Sequence, residues 1–130
     1  MKEYFIGADI GTSSSKALAY SPEGKLLSQC QITYPTLHPR ASYAEQDPDV
    51  ILAALTRAIA ATVRKNKGAR PVFVSLSAAM HSLMAVDGKG KPLGNLMIWS
   101  DARSQAEADR LAGTPAALDI YRHTGTPVHP

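Results

Sequence analysis

Only one cysteine, Cys30, occurs in 130 residues, so an intrachain disulfide is impossible and this chain alone cannot build a thiolate metal cluster. That usage fits a reducing, cytoplasmic compartment. No apolar run approaches the roughly 20 residues needed to cross a bilayer, and a transmembrane helix is not expected. The opening Met1-Lys2-Glu3 leads into a strand-like run without the long apolar stretch and small-residue cleavage site of a signal peptide, so secretion is not expected either. Charge of one sign is not concentrated. The net charge of +3 comes from scattered lysines and arginines, with Arg64-Lys65-Asn66-Lys67 the densest cluster, at a helix end where cations complement the dipole. Neither nucleic acid nor membrane is expected as a partner. No internal repeat or low-complexity tract is present. Two common phosphate signatures are also missing, the G-x-x-x-x-G-K-[ST] loop and the G-x-G-x-x-G turn between strand and helix.

What is present reads as one folded unit. An apolar fraction of 45% and a charged fraction of 19% are ordinary for a soluble globular chain, and this length buries a core without staples. Tyr4 to Ala8 is a buried strand ending in the polar turn Asp9-Ile10-Gly11, and Ala17 to Tyr20 resumes the apolar run. Ser21-Pro22-Glu23-Gly24 makes a tight turn and Lys25 to Thr33 returns as a third strand, giving an antiparallel meander. Tyr34 to Gln46, with Pro35 and Pro39, is a surface loop. Asp47 caps and Pro48 starts a helix whose Ile51, Leu55, Ala58, Ile59 and Val63 recur at helical spacing until Gly68. Val72 to Leu76 follows as a strand, parallel to its neighbour because a helix connects them, which makes the sheet mixed. Leu83 to Val86 and Leu96 to Trp99 form a strand pair across Asp87 to Pro92. Ser100 or Asp101 caps a helix over 102–112, Thr114-Pro115 starts another, and Thr124 to Pro130 reads as a connection to a further part of the protein.

Chemistry concentrates in Asp9-Ile10-Gly11-Thr12-Ser13-Ser14-Ser15-Lys16, between two strands. Gly11 lets backbone approach a bulky anion, and the amides and hydroxyls after it can donate to phosphate oxygens. Lys16 adds positive charge. Asp9 can hold magnesium directly or through water, as a hard cation prefers oxygen. Such a tip would neutralise a transferring phosphoryl group. The plainer alternative is a soluble turn built from small polar residues.

This run, continued by Ala17, resembles the first phosphate motif of the FGGY carbohydrate kinases. Glu45-Gln46-Asp47-Pro48 resembles the segment before that family's first helix. Met80-His81-Ser82 is similar to the M-H-G type substrate motif of its xylulokinase and gluconate kinase branches, and Trp99-Ser100-Asp101-Ala102-Arg103 to W-x-D-x-R. The four stand in the family's order across nearly the whole chain.

The resemblance implies an α/β, ribonuclease H-like fold of the actin and hexokinase type, a mixed sheet with flanking helices. Residues 1–130 would be the N-terminal part of the first lobe, with its remainder and the whole second lobe elsewhere. It implies ATP and Mg2+ as cofactors, with Thr12, Ser13, Ser14 and Lys16 on the phosphates and Asp9 near the metal. Lys16 stands where some members carry arginine. Met80 and His81 would line the sugar pocket. Asp101 and Arg103 either bind polyol or carboxylate oxygens or cap and pair with the following helix. Trp99 is core or pocket wall, and His38, His123 and His129 are surface positions without metal-ligand spacing. The catalytic base lies outside this chain, so no catalytic residue is assigned and the chain alone is expected to be inactive. Ser82 after the histidine, with the tryptophan segment, points to gluconate, with xylulose or another ketose next; the Met80-His81 pair argues against glycerol. A homodimer of the full-length enzyme fits the same resemblance, and a non-catalytic, actin-like nucleotide-binding role is the alternative of another class.

Overall fold

The computed structural model describes residues 2–130. Strand β1 (Lys2–Ile10) turns at Gly11 to Ser13 into β2 (Ser14–Tyr20), and a second turn leads to β3 (Leu26–Thr33). The second turn closes through Gly24, left-handed at φ 81°, whose amide donates to the Ser21 carbonyl at 2.9 Å; glycine takes this conformation without steric cost. The two-residue β4 (Glu45–Gln46) precedes α1 (Pro48–Lys65), and β5 (Ala69–Ala78) then runs parallel to β1. The sheet order is β3-β2-β1-β5, so the antiparallel meander and the parallel crossover meet at β1 as the sequence predicts. A two-residue β6 (Leu96–Met97), α2 (Gln105–Leu111) and α3 (Pro115–Thr124) complete the chain.

Helix α1 begins where its sequence dictates. Asp47 Oδ1 accepts from the Asp49 amide at 2.8 Å and from the Val50 amide at 3.4 Å, satisfying donors that no helical carbonyl reaches. Its apolar stripe lies mainly over β2 and β3. Alternation on the strands sends Tyr4, Ile6, Ala17 and Ala19 to that face, where they pack with Ala58. Small residues at the contact let helix and sheet approach closely, and each fully buried large side chain such as Ile6 adds roughly 1.5–3 kcal/mol. Of the expected stripe, Val63 is exposed, and Thr62 is buried instead, donating through Oγ1 to the Ala17 carbonyl at 3.1 Å.

Four expectations are corrected. Tyr34 to Gln46 is more than a surface loop: Tyr34, Ala44 and Gln46 are buried, and β4 pairs with β6. Leu83–Val86 and Leu96–Trp99 do not form a two-strand ladder; only isolated bridges join Leu83 to Met97 and Val86 to Pro92. Leu83, Val86 and Leu93 have no face to bury and stay exposed, while Asp87 Oδ1 closes the tip tightly by accepting from the Lys89 and Lys91 amides. Helix α2 starts at Gln105 rather than 102, because the Asp101 carboxylate is held elsewhere. Strand β5 is longer than expected and exposed along its length, with Phe73 stacked on Phe5 at 4.8 Å between ring centroids.

Substituting Asp47→Ala is expected to destabilise the chain by about 1 kcal/mol, and Asp47→Asn to restore most of it. Urea midpoints of the three proteins test this; equal midpoints would show that the cap contributes nothing.

Candidate functional site

Strand register decides which side chains share the face opposite α1. Asp9 pairs with Lys16 on β2 and with Ser77 on β5, and Lys16 pairs with Gln31 on β3, so these four cross the sheet in one row. The hairpin tip lies just beyond that row. The Gly11 amide closes it by donating to the Ser14 carbonyl at 3.0 Å. A side chain at Gly11 would place its Cβ 3.2 Å from that carbonyl oxygen and 3.3 Å from Asp9 Oδ2, tighter than ordinary contact. Neither the Thr12 nor the Ser13 amide donates to another described residue.

Three distant side chains fix this tip. Tyr34 Oη donates to the Gly11 carbonyl at 2.6 Å, buried Gln46 donates through Nε2 to the Thr12 carbonyl at 2.5 Å, and Trp99 Nε1 donates to Thr12 Oγ1 at 3.2 Å. Each takes an acceptor, so the donors of the tip stay available: the indole can only donate, which leaves the Thr12 hydroxyl proton for another partner. Ser13 and Lys16 are exposed, whereas Ser14 is buried and its Oγ accepts from Gln31 Nε2 at 3.0 Å. Sequence reasoning did not assign Tyr34 or Gln46; the only signal for Gln46 was its place in the Glu45-Gln46-Asp47-Pro48 segment.

The end of β5 carries the next pair toward the same place. The Ala79 amide donates to the Ile10 carbonyl at 2.9 Å, so Met80 and His81 leave the sheet beside the hairpin. Both are exposed, and His81 holds a left-handed backbone at φ 60°, a conformation that costs a non-glycine residue of order 1–3 kcal/mol and is found at functional turns. His81 lines a cleft of about 460 Å³ together with Trp99 and the segment after α3. A smaller cleft of about 210 Å³ contains Gly11, Thr12, Ala79 and Ser82, and Trp99 borders both. Among the described residues no group of three or more His, Cys, Asp or Glu side chains could enclose a metal. Asp9 at the strand end offers the oxygen chemistry that magnesium takes alongside water and phosphate.

Asp101 and Arg103 do not face either cleft as free groups. Asp101 is buried; its Oδ2 accepts from the Ala44 amide at 2.8 Å and from Arg103 Nη2 at 2.7 Å, and its Oδ1 from Arg103 Nε at 2.7 Å and the Arg103 amide at 3.1 Å. Arg103 Nη2 also donates to Glu45 Oε1 at 2.5 Å, and the guanidinium lies 3.9 Å from the Tyr43 ring centroid. The two side chains thus pair with each other and with the Ala44–Glu45 segment rather than with the following helix. The Arg103 hydrogen bonds hold the Asp101 carboxyl far below the usual carboxylate range against the opposing effect of burial, helped by the Ala44 amide. Arg103, then Asn95, lower Glu45 in the same way.

Residues 4–130 match the N-terminal domain of the FGGY family of carbohydrate kinases. The chain belongs to that family. It is 38% identical to a gluconokinase of Bacillus licheniformis over 130 residues, which is all of this chain and 25% of that protein. A crystal structure of gluconate kinase from Lactobacillus acidophilus superposes on the whole chain with a TM-score of 0.94 at 31% identity, covering 26% of the larger protein. Ligand-bound xylulose kinase from the same organism gives 0.93 at 31% identity, over 98% of this chain and 26% of that one. The chain thus spans about a quarter of the length of these FGGY relatives, and its mixed sheet with flanking helices is the actin-like fold of these sugar kinases. No helix among the described residues is long and apolar enough to cross a membrane.

The Asp101 cluster makes stability depend on pH with a definite sign. Both carboxyls ionise more readily folded than unfolded, so their stabilisation is complete above the unfolded carboxylate range near pH 4 and fades as pH falls below it. Asp101→Asn is expected to cost about 1.5–3 kcal/mol at pH 7, with a gap to the parent sequence that narrows in acid. Urea titrations at pH 7 and pH 3 would contradict the assignment if the gap stayed constant.

Proposed function

We propose that this chain contributes the phosphate-binding hairpin and part of the acceptor pocket of a longer kinase that transfers the γ-phosphoryl group of ATP to a hydroxyl of gluconate. One observation carries the reading: Trp99 bonds to the hairpin tip at Thr12 while walling the cleft that holds His81, so a phosphate-binding turn and a polyol-sized cleft are adjacent. The Ser82 and Trp99 sequence context and the gluconokinase likeness support gluconate over other acceptors.

In this reading the unengaged amides of Thr12 and Ser13, the hydroxyls of Thr12 and Ser13 and the Lys16 ammonium donate to phosphate oxygens, with Ser14 supporting them from beneath. Gly11 keeps the turn open to a bulky anion, and Asp9 holds Mg2+ directly or through water. Bound ATP supplies the phosphoryl group, and Mg2+ neutralises the charge that develops on it. Met80 and His81 orient the acceptor, the imidazole bonding one of its hydroxyls, and the Trp99 indole excludes water beside the tip. By the family resemblance we assign the base that deprotonates the acceptor, and the adenine pocket, to parts of the protein beyond these residues. The chain alone is then inactive. A second reading, a xylulose kinase, is favoured by the nearly equal superposition on the xylulose enzyme.

Steady-state assays of the full-length kinase are expected to give a higher kcat/KM with gluconate than with xylulose; activity on xylulose alone would overturn the choice. In the same enzyme Gly11→Ala crowds the Ser14 carbonyl and Asp9. It is expected to lower kcat/KM for ATP by about tenfold or more, equivalent to about 1.4 kcal/mol of transition-state stabilisation, and an unchanged value would remove the hairpin from the phosphate site.

A further inference from the structure

The cleft that contains His81 has a second imidazole in its wall. His129 is exposed, as its sequence context reads, and lines the cleft together with Trp99, Thr126 and Pro127. The backbone explains how it arrives there. Helix α3 stops at Gly125, left-handed at φ 71°, whose amide donates to the Tyr121 carbonyl at 2.8 Å. The Thr126 amide then donates to Thr124 Oγ1 at 3.1 Å, folding the chain back toward Trp99. Pro127 fixes its own φ, and Pro130 restricts the residue before it, which is His129. The ring is therefore delivered on a stiff segment, with Nδ1 3.1 Å from the Pro130 carbonyl oxygen.

Among the described residues no lysine, arginine, aspartate or glutamate lines this cleft, and the Trp99 N–H is already directed to Thr12. A polyol chain lying there meets an aromatic wall and two imidazoles. If its far end is anionic, the two imidazoles are the side chains of this wall that can donate to it through a ring N–H. His129 suits that role: it lines the same cleft as His81, and an imidazole N–H donates to a carboxylate oxygen. We propose that His129 is a specificity-determining residue that hydrogen-bonds the carboxylate of a sugar-acid acceptor in the cleft that also holds His81.

This rests on the gluconate reading, and the test separates the two. His129→Leu and His129→Gln are made in the full-length kinase and assayed with gluconate, xylulose and ATP as varied substrates, with His123→Gln on the exposed face of α3 as a control. His129→Leu is expected to raise the KM for gluconate at least about tenfold, with His129→Gln recovering part of the loss. The KM for ATP and the kinetics of His123→Gln should match the parent enzyme, and any activity with xylulose should change by less than about threefold. If His129→Leu does not fold, His129→Gln decides alone, with a rise in gluconate KM expected. A parent enzyme active on gluconate whose KM is unmoved by these substitutions overturns the role of His129 alone. Equal losses with the acid and the neutral sugar overturn that role as well. A parent inactive on gluconate overturns the acceptor assignment and this inference with it.

Discussion

The immobilisation of two residues, Gly11 and Thr12, underlies the rest of the site. A short turn between strands has few internal bonds of its own, and this one makes a single backbone closure from Gly11 to Ser14. Its shape comes from outside, through Tyr34, Gln46 and Trp99, and all three contacts fall on acceptor atoms. That choice matters because anion binding uses donors. A turn held by its carbonyls and one hydroxyl oxygen keeps the Thr12 and Ser13 amides unengaged, so an anion bound there, as proposed, would need little further ordering of the turn.

The same contacts relate the hairpin to the cleft that holds His81. Trp99 belongs to neither strand of the hairpin, yet its ring edges both clefts while its nitrogen reaches Thr12. Its own position depends on the segment from β6 to α2, which is anchored where Asp101 grips the Ala44 amide and Arg103 bridges to Glu45. Glu45 lies beside Gln46, so the ion cluster and the tip-holding glutamine share one short strand. The W-x-D-x-R segment therefore acts here through geometry: the aspartate and arginine hold the tryptophan's backbone, and the tryptophan meets the site.

Much of this was legible from local signals. The meander, the Ser21 to Gly24 turn, the Asp47-Pro48 helix start and the parallel return of β5 follow from residues a few positions apart, and each formed as expected. The Asp9 to Lys16 run stood out because glycine and hydroxyl residues cluster where two strands meet. Other expectations failed where a side chain had two competing partners. Asp101 was read as a polyol ligand or as capping and pairing with the following helix; it pairs with Arg103 and accepts from the Ala44 amide, 57 residues earlier in the chain. Leu96 to Trp99 looked like one arm of a hairpin, but its partner strand is Glu45–Gln46. His129 had no spacing that marked it.

The sequence by itself determined the meander, the start of α1 and the parallel return of β5, because backbone preference, capping and glycine conformations are settled within a few neighbouring residues. Tertiary structure alone decided which groups meet: Trp99 with Thr12, Arg103 with Glu45, His129 with the His81 cleft. Such pairs are separated by tens of residues, and a polar side chain bonds whatever the packed sheet and its connections bring within about 3 Å. No local pattern encodes that choice.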